Sequence, residues 1–120
     1  METVIDILLQ NLKNWGCDVD GALNRFLGET ELYQQCLNTI TEDKAFDELG
    51  KALDTGDVKA GFEAAHTLKG VLANLGLTPM YEVVVEIVEP LRAGNANGLQ
   101  PYYTKLMVER DYLKRLLEVK

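Results

Sequence analysis

The chain of 120 residues contains one histidine, two cysteines and three prolines, and its 12 lysines and arginines face 19 aspartates and glutamates, a net charge of −7. Each shortage excludes something. One imidazole and two cysteines, Cys17 and Cys36, without C-x-x-C spacing leave too few ligands for a zinc or thiol-redox site. The two thiols read as buried or idle in a reducing interior, although the spacing does not exclude a disulfide between them. An acidic field repels phosphate polymers and anionic lipid, so neither nucleic acid nor a membrane surface is an expected partner. No apolar run approaches the roughly 20 residues that span a bilayer. The opening "METVIDILLQNLKNWG" carries acids early and lacks the basic start and small-residue cleavage site of a secretory leader, so a cytoplasmic protein is expected. Alternating β-branched runs are nearly absent as well, which argues against sheets.

What is present is helical periodicity. Apolar residues recur at spacings of three and four, and even "YEVVVEIVE" places Met80, Val83, Val84, Ile87 and Leu91 on one helical stripe behind Thr78 as N-cap and Pro79 at the first helical position. Asp20 is expected to cap a short helix ending near Gly28, Thr30 to start another reaching about Ile40, and a third helix to stop at Thr55 and Gly56. Asp57 should cap a long helix to Leu75, with Gly76 in the left-handed position beyond it. Pro90 should kink or end the next helix, "AGNANG" connects, and a last helix with Pro101 in its first turn runs to about Glu118. The expectation is an all-α chain, residues 1–120 as one domain: an antiparallel up-down four-helix bundle with additional N-terminal helices over about 1–40, packed across the bundle or extending it.

On the long helix, at about 100° per residue, Ala64, Ala65, Leu68, Val71, Leu72 and Leu75 form an apolar stripe that must face the core. His66 and Gly70 then lie roughly 150 to 170° from the stripe centre, flanked by Phe62, Lys69 and Ala73. The only imidazole therefore projects outward from the middle of a rigid helix. Exposed histidines are often surface decoration. A glycine inside a helix costs about 1 kcal/mol relative to alanine, however, and core packing cannot account for Gly70 on a solvent-facing side. It is either a tolerated defect or a means of keeping the surface beside His66 clear.

The inventory removes several chemistries. Glu63-x-x-His66 is half of a carboxylate-bridged two-metal pattern, but no second copy exists and the imidazole points outward. Thr67 lies about 100° around the helix from His66, and no nucleophile elbow or Walker loop occurs, so neither a hydrolase triad nor an autonomous kinase is expected. An exposed imidazole acting on a group delivered by a partner remains. Neutral imidazole is nucleophilic near neutral pH and can accept a phosphoryl group, the outer ring nitrogen being the expected acceptor. Lys69, one turn on, would offset part of the added charge; by itself it reads equally well as a solvated helix cation.

"AHTLKGVLANLG", Ala65 to Gly76, resembles the signature of histidine-containing phosphotransfer (HPt) domains, with the H-x-L-K-G core and a further glycine ten residues after the histidine. The resemblance implies an up-down helical bundle with His66 as phosphoryl acceptor, Lys69 as phosphate-stabilising cation and Gly70 as the residue that opens access. It implies response-regulator receiver domains and a hybrid histidine kinase as partners. No cofactor would be bound by this chain, and Mg²⁺ would reside on the receiver. Val71 and Leu72 are bulkier than the small residues that often follow the glycine in that family; both fall on the core stripe. Docking is expected around His66, with Phe62 and Ala73 as apolar contacts, Phe62 being either exposed or partly buried against a neighbouring helix. The competing reading is a helical module that binds a receiver or kinase without carrying phosphate. A histidine-bearing piece of a chemotaxis-type kinase is a third, marked by kinase domains that these residues do not contain.

Overall fold

The computed structural model describes residues 1–118, which form α1 (Val4–Trp15), α2 (Val19–Arg25), α3 (Thr30–Thr41), α4 (Ala45–Thr55), α5 (Val58–Asn74), α6 (Thr78–Arg92) and α7 (Gln100–Leu117). No strand occurs among the described residues. α4 to α7 make the antiparallel bundle: α4 packs on α5, α5 on α6, α6 on α7, and α7 closes back on α4. α3 also packs on α7, displaced from α4 by only Glu42 to Lys44. A 17-residue helix is about 25 Å long, whereas the molecule measures 51 × 24 × 21 Å. The N-terminal helices thus extend the bundle lengthwise.

Local chemistry sets most boundaries. α1 opens with a capping box in which Thr3 and Asp6 exchange side-chain-to-backbone bonds of 3.1 Å, and it stops at Gly16 in the left-handed region. Gly56 ends α4 with φ 73°, and Asp57 immediately caps α5 by accepting from the Ala60 amide at 3.1 Å. Gly76, φ 68°, occupies the expected left-handed position after α5.

Several expected boundaries shift. The cap of α2 is Asp18, which accepts from the Gly21 amide at 3.0 Å. Its own amide donates to the Gly76 carbonyl at 2.9 Å, an inter-segment bond that fixes Asp18 at the helix entrance and leaves Asp20 in the first turn, paired with Lys13 at 3.3 Å. α2 ends at Arg25, and the chain turns through Leu27 and Gly28, both with positive φ. Thr78 is the first residue of α6 and not its cap. The wholly buried Leu77 takes the cap position, and the Thr78 hydroxyl turns back toward the Gly76 carbonyl. Pro90 lies inside the last turn of α6, which continues to Arg92. Its missing N–H removes one ladder bond, and only Leu91 and Arg92 follow it in the helix.

One continuous core runs the length of the molecule. Leu49, Leu68, Leu72, Met80, Ile87, Leu91 and Leu106 fill the bundle, and Leu8, Leu12, Tyr33 and Leu37 continue it between the N-terminal helices. Small residues let α5 approach both neighbours: a Cβ on Gly61 would stand 3.4 Å from Ala52 Cβ and from Leu91 Cδ2. Ala64, Ala65, Leu68, Leu72 and Leu75 are buried as expected, whereas Val71 is only half-buried, in a cleft with Phe26, Cys36, Ile40 and Asn74. Both cysteines are free. Burial, with a smaller contribution from the Glu109 carboxylate, pushes the Cys17 thiol up to about 12, so it remains protonated and unreactive.

The C-terminal end of α5 is held from outside the bundle. Arg25 donates from Nε to the Asn74 carbonyl and from Nη2 to that of Ala73, both at 3.0 Å, placing a cation at the negative end of the helix dipole. The buried Tyr33 hydroxyl donates to the Leu75 carbonyl at 2.7 Å, and desolvation raises its pKa above the usual phenol range, so it stays a donor. Tyr33→Phe strands that carbonyl and is expected to lower unfolding free energy by about 1 to 3 kcal/mol, measurable by urea titration; an unchanged midpoint would show that water or a neighbour replaces the bond.

Candidate functional site

His66 occupies the middle of α5 and is exposed, with Gly70 exposed one turn beyond it. Burial of the apolar stripe on the opposite side dictates this, since i and i+4 residues share a face. A Cβ on Gly70 would meet nothing within 4 Å, so no packing within the chain requires glycine there. Lys69 is half-buried. Ala73 is exposed and lines a cleft with Arg25, Gly76, Thr78 and Tyr81.

Phe62 is half-buried rather than a free apolar contact, and the structure places it directly against the histidine. The two rings stack with centroids 5.4 Å apart and planes inclined by 13°. On Phe62 also rests the guanidinium of Arg92, from the last turn of α6, with its carbon 5.2 Å from the ring centroid. Arg92 was not legible as part of the site from sequence, because 26 positions separate it from His66 and only the antiparallel packing of α5 on α6 brings them together.

The two flanks of this crest differ in charge. Toward α6, a shallow cleft is lined by Val58, Lys59, Phe62, Leu91 and Arg92. Toward α4, the cleft holds Asp43, Glu48, Glu63 and Thr67, with Lys44 as its one cation. In a chain of net charge −7, cations thus gather on one side of the histidine. The Glu63-x-x-His66 pair forms no metal cluster: among the described residues no three His, Cys, Asp or Glu side chains come together in a way that could hold an ion. No helix is long and apolar enough to cross a membrane, among the same residues.

A solvent-facing imidazole on a rigid helix, a glycine without a packing role one turn away and a neighbouring ammonium form a surface suited to a group presented by another molecule. No curated protein and no solved structure matches the chain significantly. The family model described as the Hpt domain matches residues 31–118, from the start of α3 to the residue after α7. With well over half of its length matched, the chain belongs to the Hpt domain family, whose members take part in phosphorelay signalling alongside receiver domains and histidine kinases.

Proposed function

We propose that the chain acts as one unit that carries a phosphoryl group on His66 between response-regulator receivers. A neutral ring nitrogen gives its lone pair to the phosphorus of a receiver's phospho-aspartate. The acyl-phosphate P–O bond breaks as the N–P bond forms, and the electron pair leaves with the aspartate carboxylate. The reverse attack by a second receiver's aspartate completes the relay. The observation that carries this reading is the exposed imidazole beside a glycine that nothing in the chain requires.

The chain supplies a nucleophile, a cation and a docking face. Lys69 and the cationic flank offset part of the roughly −1.5 to −2 charges the phosphoryl group adds. Ala73 offers apolar area, Phe62 being taken up by His66 and Arg92, and Gly70 leaves room for the approaching receiver. In this reading the Mg²⁺ that polarises the transferring group is held by the receiver, and this chain binds no cofactor. The alternative, a docking module that never carries phosphate, has the same surface and differs only in chemistry.

Transfer from chemically phosphorylated receivers separates the two. His66→Gln should fold as the parent does, since the site is exposed, and accept no acid-labile phosphate. Undiminished labelling of that variant would refute the assignment, and absence of labelling in the parent across a receiver panel would favour the docking module.

Lys69→Ala should still become labelled but lose its phosphoryl group sooner, followed as the half-life of the isolated phosphoprotein. Equal half-lives would reduce Lys69 to a surface charge.

Gly70 yields a prediction of opposite signs. Gly70→Ala should stabilise the protein by about 0.5 to 1 kcal/mol, because alanine is the better helix former and its methyl meets nothing. Gly70→Gln should keep or raise the melting temperature while transfer slows at least about tenfold, since reacting atoms must come within about 3 to 3.5 Å. Parental transfer rates in Gly70→Gln would end the access argument.

A further inference from the structure

Among the described residues, the side-chain hydrogen bonds on α5 lie at its ends, at Asp57 and at the Ala73, Asn74 and Leu75 carbonyls, and none reaches a ring nitrogen of His66. A histidine that does chemistry is usually held in orientation by a bond to its second nitrogen. Here the contact that can orient it is the ring of Phe62, stacked at 5.4 Å and 13°. Phe62 is itself in contact with a cation. Arg92 sits 5.2 Å from its centroid, and the guanidinium is in turn held by Glu89, Nε to Oε2 3.5 Å.

We propose that Phe62 and Arg92 are positioning residues for phosphotransfer: Arg92 pins the Phe62 ring against His66, and the stack sets the orientation of the imidazole in place of a hydrogen bond. The inference rests on the reading of His66 as phosphoryl acceptor. Phe62 lies one turn toward the N-terminus of α5 and Gly70 one turn toward its C-terminus, so the stack covers one face of the imidazole and leaves the other toward a residue without a side chain. The ring nitrogens sit on the edge between these faces. A flat neighbour restricts tilting of the ring while leaving that edge free, which is what in-line attack on phosphorus needs. A cation over the Phe62 ring strengthens the arrangement electrostatically and limits the freedom of the phenyl ring to swing.

The test combines saturation kinetics of transfer from an acetyl-phosphate-charged receiver with the NMR shifts of the His66 ring protons. Phe62→Leu and Arg92→Met should each lower the maximal transfer rate, by about tenfold for Phe62→Leu, with the half-saturating receiver concentration unchanged. Phe62→Tyr and Arg92→Lys, which keep the ring and the charge, should recover most of it. In the full-length protein the Hδ2 and Hε1 shifts of His66 should move toward those of an unstacked imidazole in Phe62→Leu, and part of the way in Arg92→Met. A higher half-saturating concentration at an unchanged maximal rate would overturn the proposal and make Arg92 a docking contact. Ring-proton shifts unmoved in Arg92→Met would overturn the pinning role. If the parent protein accepts no phosphate, the phosphotransfer reading itself fails, and the ring-proton shifts still report whether the stack exists.

Discussion

The close approach that α5 makes to α4 and α6 constrains everything else in the molecule. Its inner face carries Gly61, Ala64 and Ala65 beside Leu68, Leu72 and Leu75, all buried, so the helix sits low between its neighbours. A helix wedged in this way cannot rotate, because a shift of even one residue, about 100°, would bring His66 toward the core and expose leucines worth about 1.5 to 3 kcal/mol each. The histidine is outside because the alanines and leucines are inside. The rigidity matters to the proposed transfer: His66 stands on a fixed crest, so in that reading adjustment falls to the side chain and to the partner.

Charge on either side of that crest is the second constraint. The whole-chain value of −7 suggests an unfavourable setting for a phosphoryl group, yet net charge is a poor guide over distances longer than the roughly 8 Å Debye length at physiological salt. What counts is the local arrangement, with Lys59 and Lys69 on one flank, where Arg92 is paired with Glu89, and Asp43, Glu48 and Glu63 against Lys44 on the other. An acidic partner surface meets attraction toward α6 and repulsion toward α4, which favours one direction of approach over its mirror. Exposed charges such as these contribute modestly to stability, and their effect on orientation and encounter is the larger one.

The parts legible in the sequence were those fixed by neighbours in the chain. Asp57, Gly56 and Gly76 set helix ends through amides within about one turn of themselves, and the 3.6-residue period of α5 alone places His66 and Gly70 together on the outside. The parts missed depend on contacts between distant segments. Asp18 and Asp20 are equivalent as caps until the Asp18 amide meets the Gly76 carbonyl, 58 positions away. Thr78 and Pro79 read as cap and first helical residue until burial of Leu77 draws the helix start back by one. Val71 belongs to the stripe by period but lies at its edge, over a cleft and not a helix. The Phe62 stack follows the i, i+4 rule and was within reach of sequence reasoning; the Arg92 contact required the register of α6 on α5.

The same distinction explains how the N-terminal helices bear on a site that α2 reaches only at Ala73, through Arg25. The family match begins at residue 31, leaving α1 and α2 outside it. Yet the carbonyls of Ala73, Asn74 and Gly76 find their partners in Arg25 and Asp18, from α2 and its entrance, and the Leu75 carbonyl finds Tyr33 of α3. Leu75 and Gly76 are buried, so their carbonyls have limited recourse to water, and an unpaired one costs about 1 to 3 kcal/mol; the Ala73 and Asn74 carbonyls lie at the surface. The end of the histidine-bearing helix is therefore stabilised by a segment that packs beyond the bundle. Because α5 ends there with its dipole neutralised and its carbonyls paired, its last turns can remain helical while presenting Gly70 and Ala73 with no side chain large enough to shield the backbone. In the proposed reading, the turn that presents Gly70 beside His66 is held in part by these bonds at the end of its helix.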